Sequence, residues 1–169
     1  EKYAAKGDPG KYQFPMPLIH EKNSDFSFSG LKSSVAQKVL NKKITEKFKC
    51  DVSASFQKTI VEILLKKTQQ AIETFNNETK NKKTVNVVVA GGVAANQFIK
   101  GSLENLEKEV NCKFHFPSLK LCTDNGAMIA YAGIERYERD LSNKLNFKPR
   151  PRWPLDKKAI FMKGKRINA

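Results

Sequence analysis

No apolar run in this 169-residue chain approaches the ~20 residues needed to cross a bilayer, and the first residues lack the apolar core of a signal peptide. These absences predict a protein of the cytoplasm, or of an organelle lumen such as the mitochondrial matrix after processing, with no membrane partner. Cysteine is scarce. Cys50, Cys112 and Cys122 are odd in number, far apart and without a C-x-x-C pair, which suits a reducing compartment and argues against a disulfide framework or a zinc knuckle. Histidine is scarcer still: His20 and His115 stand alone with no metal-ligand spacing, and His115 reads as a packed or surface imidazole. Acidic residues are also few, 17 against 31 basic, which leaves a net charge of +14. The last 22 residues carry 8 of the basic ones, opposed only by Asp156, so half the excess lies in the tail. A basic stripe of this kind attracts a phosphate backbone, although a lysine-rich surface also arises from genomic base composition alone.

What is present suffices for a sizeable core. The chain is 40% apolar and has no low-complexity tract, as expected of one domain of ordinary size. Residues Glu1 to Asn23, with Gly7, Gly10, Pro15 and Pro17, read as a connecting loop rather than a domain start, so the chain is expected to begin in mid-fold. Alternation over Phe26 to Ser29 predicts a half-buried strand, and Gly30 then allows a tight turn into a helix from Leu31 to Leu40. A long amphipathic helix is expected from an N-cap at Ser53, with Phe56, Ile60, Ile63, Leu64, Ala71 and Phe75 on its apolar face, followed by a polar loop from Asn76 to Lys83. The run Val85, Val87, Val88 and Val89 predicts a central parallel strand covered on both faces. Helix spacing from Ala95 to Val110 and a strand from Lys113 to Phe116 complete a β-α-β unit. Asp124 opens a helix of small residues (Gly126, Ala127, Ala130, Ala132, Gly133) suited to close packing, and the tail with Pro149, Pro151 and Pro154 is extended.

Four segments carry candidate chemistry. Gly91, Gly92 and Asn96 sit where a buried strand meets a helix N-terminus. Missing Cβ atoms there let a ligand approach the backbone, the helix N–H groups favour phosphate, and the asparagine can bond sugar or phosphate oxygens. A tight β-α turn with no ligand is the competing reading, since the pattern is neither G-x-G-x-x-G nor a P-loop. Asp124 occupies a position suited to an N-cap and also to the ligand-binding end of an open α/β sheet. The serines and Gly30 between Phe26 and Lys32 either line the same cleft or make an ordinary turn. In the tail, Arg150 and Arg152 could meet RNA phosphates while Trp153 anchors the chain, or remain solvated.

Taken together, Asp25-Phe-Ser-Phe-Ser-Gly-Leu-Lys32, Val89-Ala-Gly-Gly-Val-Ala-Ala-Asn96, Leu121-Cys-Thr-Asp-Asn-Gly-Ala-Met128 and Arg150-Pro-Arg-Trp-Pro-Leu155 resemble, in order, the C-terminal half of the TsaD family. The resemblance implies an α/β fold, the C-terminal subdomain of an actin-like ATPase (ASKHA, ribonuclease H-like) fold, with a parallel or mixed sheet flanked by helices. It divides the chain into a connecting loop from a missing N-terminal lobe (1–23), the C-terminal lobe (24–147) and a basic, Pro-rich tail (148–169). It further implies transfer of threonylcarbamoyl from threonylcarbamoyl-AMP to N6 of adenosine 37 in tRNAs that read ANN codons, assisted by TsaB- and TsaE-like proteins. Asn96, with Gly91 and Gly92, would hold the adenylate. Asp124 would be one of three ligands of a divalent metal, iron(II) with zinc or magnesium as alternatives, and two histidines of an H-x-x-x-H motif absent from this chain would complete the site. The isolated chain is therefore expected to be inactive, one wall of a nucleotide site. Two other readings stand beside this one: the family's older label of metal-dependent O-sialoglycoprotein endopeptidase, and a non-catalytic nucleotide- or RNA-binding module.

Overall fold

The computed structural model describes residues 1–40, 42–80 and 82–148, which form two compact units, Glu1–Asn125 and a second beginning at Gly126. The first unit is organised by one long helix, α2, Glu46–Thr79. Its 34 residues reach about 50 Å at the usual rise per residue. Thr45, in an extended conformation, caps it by accepting the Phe48 N–H at 3.1 Å. The helix thus begins seven residues before the Ser53 cap expected from the sequence, and it runs on to Thr79, where Lys80 (φ +51°) closes it. Buried polar residues, Asp51 and Ser55 among them, interrupt the apolar pattern in these early turns.

Helix α2 feeds two cores. On one side Val61 and Ile72 pack with Ile99, Leu103, Leu106, Cys112 and Phe114. On the other, Val52 and the fully buried Ile63 pack with Phe14 and Leu31. Two-sided burial of apolar surface by one helix explains why it can be so long and still be held in place. Helix α1 (Leu31–Val39) enters the second core through Leu31, after Gly30 makes the expected turn at φ +83°.

The strand expected over Phe26 to Ser29 does not form. The Ser27 hydroxyl accepts the Ser29 N–H at 3.1 Å and the Phe28 carbonyl accepts the Leu31 N–H, a local turn that takes backbone groups a strand would need. The rings of Phe26 and Phe28 meet at a tilt of 57°, their centroids 5.7 Å apart, and both stay exposed.

Strands β1 (Val85–Val88) and β2 (Cys112–His115) form a two-stranded parallel sheet, Val85 opposite Cys112 and Val88 opposite His115. The crossover between them contains α3, Gln97–Leu106, giving the predicted β-α-β unit. Among the described residues β1 is covered on one face only: Val85 and Val87 meet the core, while Val88 is 73% exposed. The valine run therefore reports β-propensity rather than two-sided burial. On β2, Glu107 accepts the Phe114 N–H at 2.6 Å and pairs with Lys113 at 2.9 Å, which occupies a strand-edge donor. These two bonds, the backbone one first, hold the Glu107 carboxyl below its usual range.

The segment expected as a loop, 1–23, contains only a 3-10 turn, Ala4–Lys6, yet buried polar groups of α2 fasten it along its length. Asp51 accepts the Asp8 N–H at 2.9 Å, and the Ser55 hydroxyl accepts from Tyr12 N and donates to the Asp8 carbonyl. Lys67, 2% exposed, donates to the Glu21 and Asn23 carbonyls at 2.8 and 2.9 Å. The three cysteines are free and buried.

The second unit contains α4, Gly126–Tyr137. None of its residues is buried, so the small-residue face expected to pack closely has no such contact among the described residues. Arg136 donates to Asn143 at 3.0 Å beyond its end.

Candidate nucleotide-binding site

Because β1 and β2 are parallel, their carboxyl ends lie at one edge of the sheet. The segment leaving β1 carries Gly91, Gly92 and Asn96, and the segment leaving β2 leads through a 3-10 turn, Leu119–Leu121, to Asp124. Two of the segments singled out from the sequence are thus delivered to the end of the sheet where open α/β folds bind ligands. Among the described residues, however, Asp124 is exposed, and no hydrogen bond or ion pair joins it to Asn96.

The two glycines differ. Gly91 has φ +95°, a conformation L side chains rarely adopt, so turn geometry alone demands it. Gly92 has no positive φ, and a Cβ built on it would meet nothing within 4 Å. The fold does not require a glycine at 92. Its missing side chain instead keeps the backbone open to an approaching molecule.

Between the glycines and α3 lies a 3-10 turn, Gly92–Ala95. Asn96 breaks it with an extended conformation and caps α3, its Oδ1 accepting the N–H groups of Phe98 at 2.9 Å and Ile99 at 3.1 Å. The remaining N–H groups at the helix start are also taken: Gln97 donates to Glu1 Oε1 at 3.1 Å, and Asn96 itself to the Val93 carbonyl at 3.1 Å. A helix ordinarily leaves four such donors unsatisfied at its N-terminus. All four are spent here, so the phosphate cradle expected at the N-terminus of α3 is closed. The backbone donors without a partner among the described residues lie earlier, at Gly91, Gly92 and Val93.

Asn96 nevertheless keeps a free hand. With Oδ1 fixed by the cap, its Nδ2 faces Gln57 of α2 and donates to Gln57 Oε1 at 3.0 Å. One Nδ2 hydrogen remains, so Asn96 can offer a donor to a hydroxyl, carbonyl or phosphate oxygen.

The Phe26–Lys32 segment lies elsewhere. Phe28, Leu31 and Lys32 line an apolar groove with Val35, Val52, Ser53 and Phe56. The turn of α2 from Ser53 to Gln57 is what links that groove to Asn96. His115 is an exposed surface imidazole, its Nε2 2.8 Å from Asn86 Oδ1. Arg150, Arg152 and Trp153, and the rest of the predicted extended tail from Pro149 on, lie outside the described residues.

Among the described residues no three His, Cys, Asp or Glu side chains converge on a place where they could hold a metal ion. Sequence reasoning missed Gln57, which sits in the middle of a helix and belongs to none of the four motifs. Its one visible signal was an amide at helix spacing from the apolar Ala54, Ile60 and Val61.

The family model described as TsaD, tRNA N6-adenosine threonylcarbamoyltransferase, matches residues 1–131. Relatives bearing that description include proteins of Rickettsia massiliae (47% identical, covering 92% of this chain and 46% of the relative) and Pelagibacter ubique (48%, covering 97% and 45%). A third, from Chelativorans, is 44% identical, covering 98% of this chain and 47% of its own length. The chain spans about half the length of the curated relatives it matches. With the glycine turn, the capping asparagine and Asp124 all inside the matched region, the chain belongs to the TsaD family.

Proposed function

We propose that, at the full length of its relatives, this protein transfers a threonylcarbamoyl group from threonylcarbamoyl-AMP to N6 of adenosine 37 in tRNAs that read ANN codons. The observation that carries the proposal is Gly92, a glycine the fold does not need, one turn ahead of an asparagine with a donor to spare at the carboxyl end of a parallel sheet. Family membership and the relatives' description supply the chemistry.

In the reaction the N6 amine attacks the carbamoyl carbonyl carbon. The C–N bond forms, the bond to the phosphate oxygen breaks, AMP leaves with that electron pair, and the amine proton passes to solvent. This chain's share is to hold AMP, the leaving group. Gly92 admits it to the backbone, and Asn96 Nδ2 donates to one of its oxygens, fixing the anhydride carbonyl for attack. The excess of basic residues, Arg150 and Arg152 among them, holds the tRNA backbone.

The α/β unit with its parallel pair belongs, in this reading, to an actin-like (ASKHA) lobe. Asp124 is one ligand of a divalent metal, iron(II) foremost, whose two histidines lie outside this chain, and TsaB- and TsaE-like proteins assist in the cytoplasm. The test is Asp124→Ala in the full-length protein, scored by metal content and by nucleoside analysis of reacted tRNA. Loss of bound metal together with loss of modification is expected. Unchanged metal content would remove Asp124 from the ligand set, and glycoprotein cleavage without tRNA modification would restore the peptidase reading.

A further inference from the structure

The geometry assigns Gln57 a role as a positioning residue for the nucleotide: its carbonyl fixes the Asn96 side-chain amide, so that Asn96 meets the adenylate only as a hydrogen-bond donor. This inference rests on the proposed reading of Asn96 as a nucleotide contact.

An asparagine amide presents an acceptor and two donors, and a rotation of 180° about its last bond exchanges them at little cost. Here the exchange is blocked twice. Oδ1 takes two backbone N–H groups, from Phe98 and Ile99, that a flipped NH2 would meet with donors against donors. Nδ2 takes the Gln57 carbonyl at 3.0 Å, which a flipped oxygen would meet with acceptor against acceptor. The bond to Asn96 orients Gln57 in turn. Since its Oε1 faces Asn96, its Nε2 points away, and that NH2 has no partner among the described residues. The unit therefore offers donors from both residues, one from Asn96 and two from Gln57, while the Asn96 oxygen has both lone pairs taken.

Both residues are half-buried, and they come from different elements, 39 residues apart in sequence. Gln57 is held by the longest helix of the unit, with Ser55 and Thr59 on either side both buried. Asn96 by contrast sits at a break between a 3-10 turn and α3. A rigid element thus orients the side chain of a segment that would otherwise choose between amide orientations. The ligand class follows: an oxygen-rich acceptor group such as a ribose hydroxyl or phosphate of the adenylate is accepted, and a donor at that point is rejected.

The experiment uses the full-length protein with threonylcarbamoyl-AMP and tRNA, and compares Gln57→Leu, Asn96→Asp and the double variant. Asp at 96 keeps a cap acceptor and removes the donor. Each single variant is expected to raise KM for the adenylate roughly 10-fold with kcat little changed, and the double variant to be no worse than either single one. Unchanged KM for Asn96→Asp would defeat the nucleotide reading of Asn96 itself. A raised KM for Asn96→Asp with an unchanged KM for Gln57→Leu would overturn the positioning role alone, as would a loss in the double variant equal to the product of the two. If Gln57→Leu fails to fold, Gln57→Glu, which keeps the acceptor, serves in its place through the nitrogen-15 resonance of the Asn96 side-chain amide. That resonance is expected to stay slow to exchange with solvent, and free exchange would contradict the assignment.

Discussion

The backbone N–H of Asp8 donates to the Asp51 carboxylate at 2.9 Å, across 43 residues of sequence, and Lys47 reaches the same oxygen at 2.7 Å. The Lys47 bond first, and the Asp8 N–H second, hold the Asp51 carboxyl below its ordinary value of 3.8. A carboxyl lowered on folding stabilises the folded state above the unfolded value, and the contribution disappears as pH falls through the folded one. Asp51→Asn should therefore be less stable than the parent at pH 6, with the gap closing below about pH 4. Urea unfolding of both proteins across that range checks it. A gap independent of pH would show that charge plays no part.

Gly7 and Gly101 make opposite predictions. A Cβ on Gly7 would lie 2.0 Å from the Cys50 carbonyl oxygen, which belongs to the backbone of α2 and cannot yield cheaply. Gly7→Ala should cost about 1–3 kcal/mol or more, by forcing the N-terminal segment off the helix. Gly101 lies inside α3 with nothing within 4 Å, so Gly101→Ala should stabilise by about 0.5–1 kcal/mol. Thermal melts decide both, and equal shifts for the two variants would contradict the packing described here.

For Gly92→Ala the expectation is separation of stability from function. The melt should move by no more than about 0.5 kcal/mol, since the added methyl meets no protein atom. Adenylate binding in the full-length protein should nonetheless weaken, as read by KM. Intact binding would return Gly92 to the role of an incidental turn residue.

Asn96→Ala and Asn96→Asp separate the cap from the donor. Alanine removes the acceptor for Phe98 and Ile99 and should cost about 1 kcal/mol in a denaturant melt. Aspartate should cost less. If the two variants melted alike, the cap would not be what holds the start of α3.

Much of this architecture was legible in advance. The β-α-β unit followed from valines and leucines at strand and helix spacing, and the turn at Gly30 from a glycine between two patterns, because such signals depend on local chemistry. The start of α2 was not legible: Asp51, Ser55 and Lys67 look like surface residues, and only the structure reveals that they are buried to fasten residues 8–23. The Phe26–Ser29 alternation misled because a strand needs a partner, and a serine hydroxyl supplied a turn instead. At the site, Gly91, Gly92, Asn96 and Asp124 carried local signals. Gln57 did not, because its significance is a contact made by tertiary folding.

The most direct test of the account is nucleoside mass spectrometry of tRNA incubated with threonylcarbamoyl-AMP and either the full-length protein or the 169-residue chain alone. N6-Threonylcarbamoyladenosine at position 37 is expected with the full-length protein, and none with the chain alone. Unmodified tRNA from the full-length protein with its accessory partners present, or modification by the chain by itself, would contradict it.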